Sequence, residues 1–243
     1  MLEIRHLTKK YGDLVAVNDL SLIIEDGDIF GFIGLNGAGK TTTIKAVVGI
    51  HRFDQGEVLI NGVSMANDPI ACKKQLAYIP DNPDLYEFMT GIKYLNFVAD
   101  IFDIPQKLRE QRIEKYADGL ELTSDLSSPI ASYSHGMKQK LALISAFIHE
   151  PRLMVLDEPF VGLDPKVTFT VKEYFKEMTT AGSSIFFSTH GLEVAQSLCN
   201  KIAIIQKGVL LEAGPTQEIV GKQSLEDVFL ALLGEGETEP GQS

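Results

Sequence analysis

Gly34-Leu35-Asn36-Gly37-Ala38-Gly39-Lys40-Thr41 satisfies the pattern Gly-x-x-x-x-Gly-Lys-(Ser/Thr) of a phosphate-cradling loop. Glycines let a backbone fold tightly enough for its N–H groups to point inward at phosphate oxygens. The flanks fit that reading. A short apolar run, Ile29 to Ile33, precedes the loop as a strand, and Thr41-Thr-Thr-Ile-Lys-Ala-Val-Val-Gly-Ile50 follows with helical character. The start of that helix would add its positive dipole end to the loop. Lys40 would neutralise β- and γ-phosphate charge, and Thr41 would offer its hydroxyl to Mg²⁺. A merely flexible glycine turn is the plain alternative, and the strand before and helix after weigh against it. A phosphate loop alone does not separate kinases, GTPases, helicases and transporters.

Further along, Leu153-Met-Val-Leu-Asp157-Glu158-Pro159 is an apolar strand ending in adjacent acids. Asp157 at a strand's carboxyl end is placed to hold Mg²⁺, directly or through water. Glu158 beside it can accept a proton from an attacking water, which hydrolysis requires. Alone, the pair reads equally as a solvated strand end; together with a phosphate loop it points to nucleotide hydrolysis.

The organisation of the chain agrees with an α/β architecture. Leu2 to Leu7 alternates, Leu20 to Ile24 is a second strand, and Gly56-Glu-Val-Leu-Ile-Asn61-Gly62 is a strand running into a hairpin turn. From about Leu85 to Leu126 apolar residues fall at helical spacing, interrupted at Pro105, which marks a helical insert. The last third alternates again: a helix from Val167 to Met178, strands at Ser184 to Ser188 and Ile202 to Ile205, and a helix from Leu192 to Leu198. That alternation predicts a mainly parallel sheet with crossover helices.

Composition narrows the function. The 243 residues are 44% hydrophobic and 23% charged, ordinary for one large domain or a domain with a subdomain. A net charge of −11 argues against a nucleic-acid surface, which needs a basic face. Cys72 and Cys199 form neither a disulfide framework nor a metal spacing, so a reducing cytoplasm is the expected compartment. The first residues carry no apolar signal core, and no run of about 18 apolar residues predicts a membrane span.

Taken in order, GLNGAGKTT (34–42), LMVLDEP (153–159), GLDP (162–165) and STH (188–190) resemble the ATP-binding cassette (ABC) ATPases over about residues 1–220. The resemblance implies a phosphate-loop NTPase fold with a RecA-like core, an N-terminal antiparallel β subdomain and a helical insert. It implies one cassette over residues 1–234, with the insert at approximately 82–133, and an acidic, Gly/Pro-rich tail at 235–243 expected to be disordered. By the same resemblance, Asn36, Gly37, Ala38, Gly39, Lys40, Thr41 and Thr42 hold the phosphates and Tyr11 stacks on adenine. Asp157 and Thr41 attend Mg²⁺, Glu158 is the general base, and His190 is the switch histidine. Asp164 matches the loop that meets its twin across a dimer.

Two stretches depart from the family. The usual Leu-Ser-Gly-Gly-Gln signature is replaced by Tyr133-Ser134-His135-Gly136-Met137. Ser134 and Gly136 are retained, and the resemblance places them on the ATP of an opposite subunit; an ordinary helix cap by Ser134 is the plain reading, and both can hold. The expected metal-facing glutamine is replaced in Tyr78-Ile-Pro-Asp81-Asn82; Asp81 is expected to keep a metal-facing role, with Asn82 as the alternative amide. The implied cofactors are ATP and Mg²⁺. The implied partners are an integral membrane permease and a second ATP-binding subunit, identical or homologous, with no nucleic acid. The implied site of action is the cytoplasmic face of the cell membrane, bound peripherally. Leu85, Tyr86, Phe88 and Met89 are expected to offer an apolar docking surface, or to cover the insert's own core. The signature variant resembles bacterial exporter-type ATPases, drug, peptide and Ecs-like. A soluble cassette ATPase of an assembly or repair system, with no membrane partner, is the alternative.

Overall fold

The computed structural model describes residues 1–235. The chain opens with β1 (Leu2–Tyr11), β2 (Leu14–Ile24) and β3 (Ile29–Ile33), then α1 (Lys40–Val47), β4 (Gln55–Ile60), β5 (Val63–Ser64), α2 (Pro69–Lys73) and β6 (Leu76–Ile79). Two helices follow, α3 (Gly91–Ile101) and α4 (Gln106–Gly119), and lead through short 3₁₀ turns into α5 (His135–Phe147) and β7 (Leu153–Asp157). The rest is α6 (Pro165–Thr180), β8 (Ser184–Thr189), α7 (Leu192–Leu198), β9 (Lys201–Gln206), β10 (Val209–Pro215), α8 (Thr216–Val220) and α9 (Leu225–Glu235).

Two sheets result. One is antiparallel, in the order β2-β1-β4-β5; the other has the order β10-β9-β3-β8-β7-β6 and is parallel except where β10 returns along β9. The expected fold class is therefore the observed one. Side-chain alternation in the second sheet sorts residues to two cores. Phe30, Phe32, Val155 and Phe186 face α1 and the antiparallel sheet; Ile29, Ile33, Met154, Leu156, Ile185 and Phe187 face α5, α6 and α7. Asp157 has the parity of Val155, so it emerges on the side of α1, where the phosphate loop lies.

The expected strands and helices are present with shifted ends. β1 continues past Leu7 to Tyr11 because it pairs with both β2 and β4. Asn61 and Gly62 are both left-handed, as the hairpin signal required. The edge strands β6 and β10 were not legible. β6 has four residues, and β10 carries Glu212, Gly214 and Pro215, residues depleted from strands. The helical insert does not form a core of its own. Leu95, Ala99, Ile113, Tyr116 and Leu120 join one apolar cluster with Leu141, Phe147 and Phe175. Pro105 separates α3 from α4, as its position in the pattern predicted. Of the tail expected from 235, Glu235 closes α9 and the remainder lies outside the described residues.

Candidate active site

Four adjacent parallel strands, β3, β8, β7 and β6, end at the same edge of the sheet. The loops beyond their carboxyl ends carry Gly34 to Lys40, His190, Asp157 with Glu158, and Asp81 respectively. This is where open α/β sheets bind ligands. A cavity of about 610 Å³ opens there, lined by Tyr11, Asn36 to Thr42, Asp81, Asp157 and Glu158.

The loop's backbone is set by glycines at two demanding positions. Gly39 has φ +106°, and a Cβ on it would lie 2.6 Å from the Ala16 carbonyl oxygen. Gly34 has no room either, since a Cβ would meet the Ile205 carbonyl oxygen at 2.5 Å. Helix α1 starts with no side-chain cap, so its first N–H groups face the cavity unclaimed. Lys40 Nζ donates to the Gly34 and Leu35 carbonyl oxygens at 2.7 and 3.3 Å and lies 4.0 Å from Glu158 Oε1. Burial lowers its pKa, against the opposing pull of Glu158 and Asp157. An anion entering the loop would relieve that penalty.

Asp157 is 3% exposed, and the Ser188 hydroxyl donates to its Oδ1. Glu158 sits in a left-handed conformation, φ +49°, with its N–H held by the Ser188 carbonyl at 3.2 Å. A non-glycine residue there costs about 1 kcal/mol or more. The strained turn aims the carboxylate across the strand end, where Oε1 lies 2.8 Å from His190 Nδ1. Thus His190, Glu158 and Lys40 form one chain of charged and polar groups at the phosphate loop.

Thr41, Asp157 and Asp81 all line the cavity. Among the described residues, no group of three or more His, Cys, Asp or Glu side chains forms a metal cage. That donor set suits Mg²⁺, which keeps several waters and is bound through one or two carboxylates plus phosphates.

Ser134, Gly136 and Asp164 do not line this cavity. They form a second constellation. Ser134 is the N-cap of α5, its Oγ accepting from the Met137 N–H at 3.3 Å, and the helix begins at His135. A Cβ on Gly136 would lie 2.6 Å from the Gly162 carbonyl oxygen. A Cβ on Gly162, in turn, would meet the His135 ring at 2.8 Å. The imidazole of the divergent signature thus lies against Gly162 of the GLDP loop, with both residues exposed. Asp164 caps α6 through the Val167 N–H at 2.9 Å and lies 3.5 Å from Lys140 Nζ. That bond, then Lys140, lowers its pKa. Tyr133 reaches from the signature to the insert, its hydroxyl donating to the Asp125 carbonyl at 2.6 Å.

Sequence reasoning missed Leu14, Val15, Ala16, Leu35 and Lys207, which complete the cavity wall. Leu14 to Ala16 were findable: they follow Tyr11 across a two-residue hairpin turn.

A fold of this kind with this site defines a nucleotide-binding protein of the phosphate-loop ATPase class. The chain belongs to the ABC transporter family, whose model matches residues 17–161, and it is an ATP-binding subunit of that family. It is 33% identical over 240 residues to the ABC-type transporter ATP-binding protein EcsA of Bacillus subtilis, covering 97% of each chain. A solved structure of the ATP-binding subunit of an ABC transporter is 34% identical, with TM-score 0.92, covering 96% of this chain and 99% of the other. The ATP-binding cassette MJ0796, solved as a dimer in a post-hydrolysis state with ADP and Pi, shares the fold at 19% identity and TM-score 0.81, covering 89% and 99%.

Proposed function

We propose that the chain binds Mg·ATP, closes on a second ATP-binding subunit, hydrolyses the nucleotide and drives a separate membrane subunit for export. The observation that carries this is the Glu158 carboxylate 2.8 Å from His190 and 4.0 Å from Lys40 at the mouth of the phosphate loop. Tyr11 offers a ring face to the base, and the backbone N–H groups of residues 36 to 42 hold the phosphates. Lys40 exchanges its carbonyl partners for phosphate oxygens. Mg²⁺, attended by Thr41, Asp157 and Asp81, would neutralise charge developing on the phosphates. Glu158 takes the proton of the attacking water, and His190 orients that carboxylate.

Ser134 and Gly136 lie at an exposed helix start away from this cavity, which supports a role on a partner's nucleotide rather than the chain's own. Tyr86 and Phe88 are exposed, and the Tyr86 ring centroid lies 5.6 Å from that of Phe97, a patch suited to a membrane partner at the cytoplasmic face. Leu85 is buried and Met89 packs on the core, so half of the expected docking run instead serves the insert. No described helix is long and apolar enough to cross a membrane.

Glu158→Gln tests the reading. Turnover is expected to fall about 10²-fold or more while ATP binding persists. The variant should elute as a dimer with saturating ATP; a monomer under those conditions would overturn the proposal.

A further inference from the structure

The β9–β10 turn consists of Lys207 and Gly208, closed by the pairing of Gln206 with Val209. Both turn residues are left-handed, φ +48° and +81°. Such a two-residue turn prefers Asn, Asp or Gly at its first position, and a lysine there is conformationally unfavourable. A residue kept against the backbone's preference is grounds for asking what its side chain does.

The turn is braced against the phosphate loop. The Gly208 N–H donates to the Ala38 carbonyl at 2.8 Å, and its own carbonyl accepts from the Asn18 N–H at 2.8 Å. Its Cα lies 3.4 Å from where a Cβ on Gly39 would sit. Lys207 itself lines the cavity. The cavity wall carries two cations, Lys40 and Lys207, against three carboxylates, Asp81, Asp157 and Glu158. Lys40 is already engaged with the Gly34 and Leu35 carbonyls and lies beside Glu158. Lys207 makes no ion pair among the described residues.

The two cations are at different ends of the loop. Lys40 faces the Glu158–His190 end, where the terminal phosphate reacts. Lys207 lies in the turn whose Gly208 packs on Ala38, Gly39 and Ala16, and it shares the cavity wall with Ala16, Val15, Leu14 and Tyr11. We infer that Lys207 is a nucleotide-binding residue whose ammonium contacts the α-phosphate and ribose region, common to ATP and ADP. This rests on the cavity being the ATP site. Lys207 thus helps hold nucleotide through the whole cycle, while discrimination of the γ-phosphate is left to Lys40 and the partner's signature.

The test is a titration of ATP and of ADP, with Mg²⁺ withheld so that ATP is not consumed, into wild type, Lys207→Asn and Lys207→Arg. Saturable binding of ATP by the wild type checks the underlying reading separately. Lys207→Asn is expected to raise both Kd values by the same factor, roughly two- to fivefold, as for a solvent-exposed charge contact. The difference should shrink at high salt, and Lys207→Arg should restore binding. The melting temperature of nucleotide-free Lys207→Asn should equal or exceed that of wild type, since the turn gains a preferred residue. Unchanged Kd values for both nucleotides would overturn the inference. So would a loss confined to ATP, which would move Lys207 to the γ-phosphate end.

Discussion

At the scale of single residues, the site is built from conformations that side chains usually avoid. Gly39 is the sharpest case. Its φ of +106° and the Ala16 carbonyl 2.6 Å from any Cβ leave no place for alanine. Gly39→Ala is therefore expected to cost about 2 kcal/mol or more and to abolish ATP binding, read by urea unfolding and nucleotide titration. A variant with unimpaired binding would show that the loop relaxes freely. Gly136 carries a related lesson. The family resemblance assigns it to a partner's nucleotide, but the Gly162 carbonyl already forbids a side chain within one subunit. Two constraints fall on one position, and only the second is visible without a dimer. His135, which breaks the usual signature, lies against Gly162 at this scale.

Among elements, the joint between α3 and the end of α5 is unusual. The Phe102 ring at the end of α3 stacks on His149 at 3.8 Å with an interplanar angle of 2°. Burial, with the Arg112 guanidinium nearby, pushes the His149 pKa down from 6.5 to about 4. The folded state thus favours neutral imidazole, whereas the unfolded chain binds a proton below 6.5. The contribution is complete above pH 6.5 and is lost as pH falls towards about 4. By linkage the full loss is about 3 kcal/mol, and partial solvent access makes about 2 kcal/mol the expected size. His149→Phe keeps the stack and removes the titration. Urea midpoints measured across this range should fall less steeply with acid for the variant; parallel curves would remove His149 from the acid limb.

For the whole molecule, the two functional constellations lie apart. One surrounds the phosphate loop, and the other joins Ser134, Gly136, Gly162 and Asp164. Ser134, Gly136 and Asp164 stay outside the phosphate-loop cavity of their own subunit. The insert lies on the signature side of the molecule, and Lys138 on α5 reaches Glu87 at 2.5 Å, next to the exposed Tyr86 and Phe88. Phe88, 83% exposed, is expected to matter for assembly alone. Phe88→Ser should leave the Kd for ATP unchanged while reducing recovery of a membrane subunit when the complex is purified from detergent. Full recovery would remove this patch from the partner interface.

The sequence by itself determined the fold class and marked the residues that gather at the phosphate loop. Gly34 to Thr42 was legible because a phosphate cradle demands particular residues at fixed spacing, Asp157 and Glu158 because an apolar strand ends in two acids, and His190 only through the family resemblance. Tertiary structure alone decided what depends on distant segments meeting. Lys207 reaches the cavity through a hairpin 167 residues beyond Lys40, by virtue of the Gly208–Ala38 hydrogen bond. Leu85 and Met89 turned inward while Tyr86 and Phe88 stayed out, because in the loop before α3 an apolar residue type does not say which neighbour covers it. Edge strands β6 and β10 exist through their partners in the sheet rather than through their own propensities.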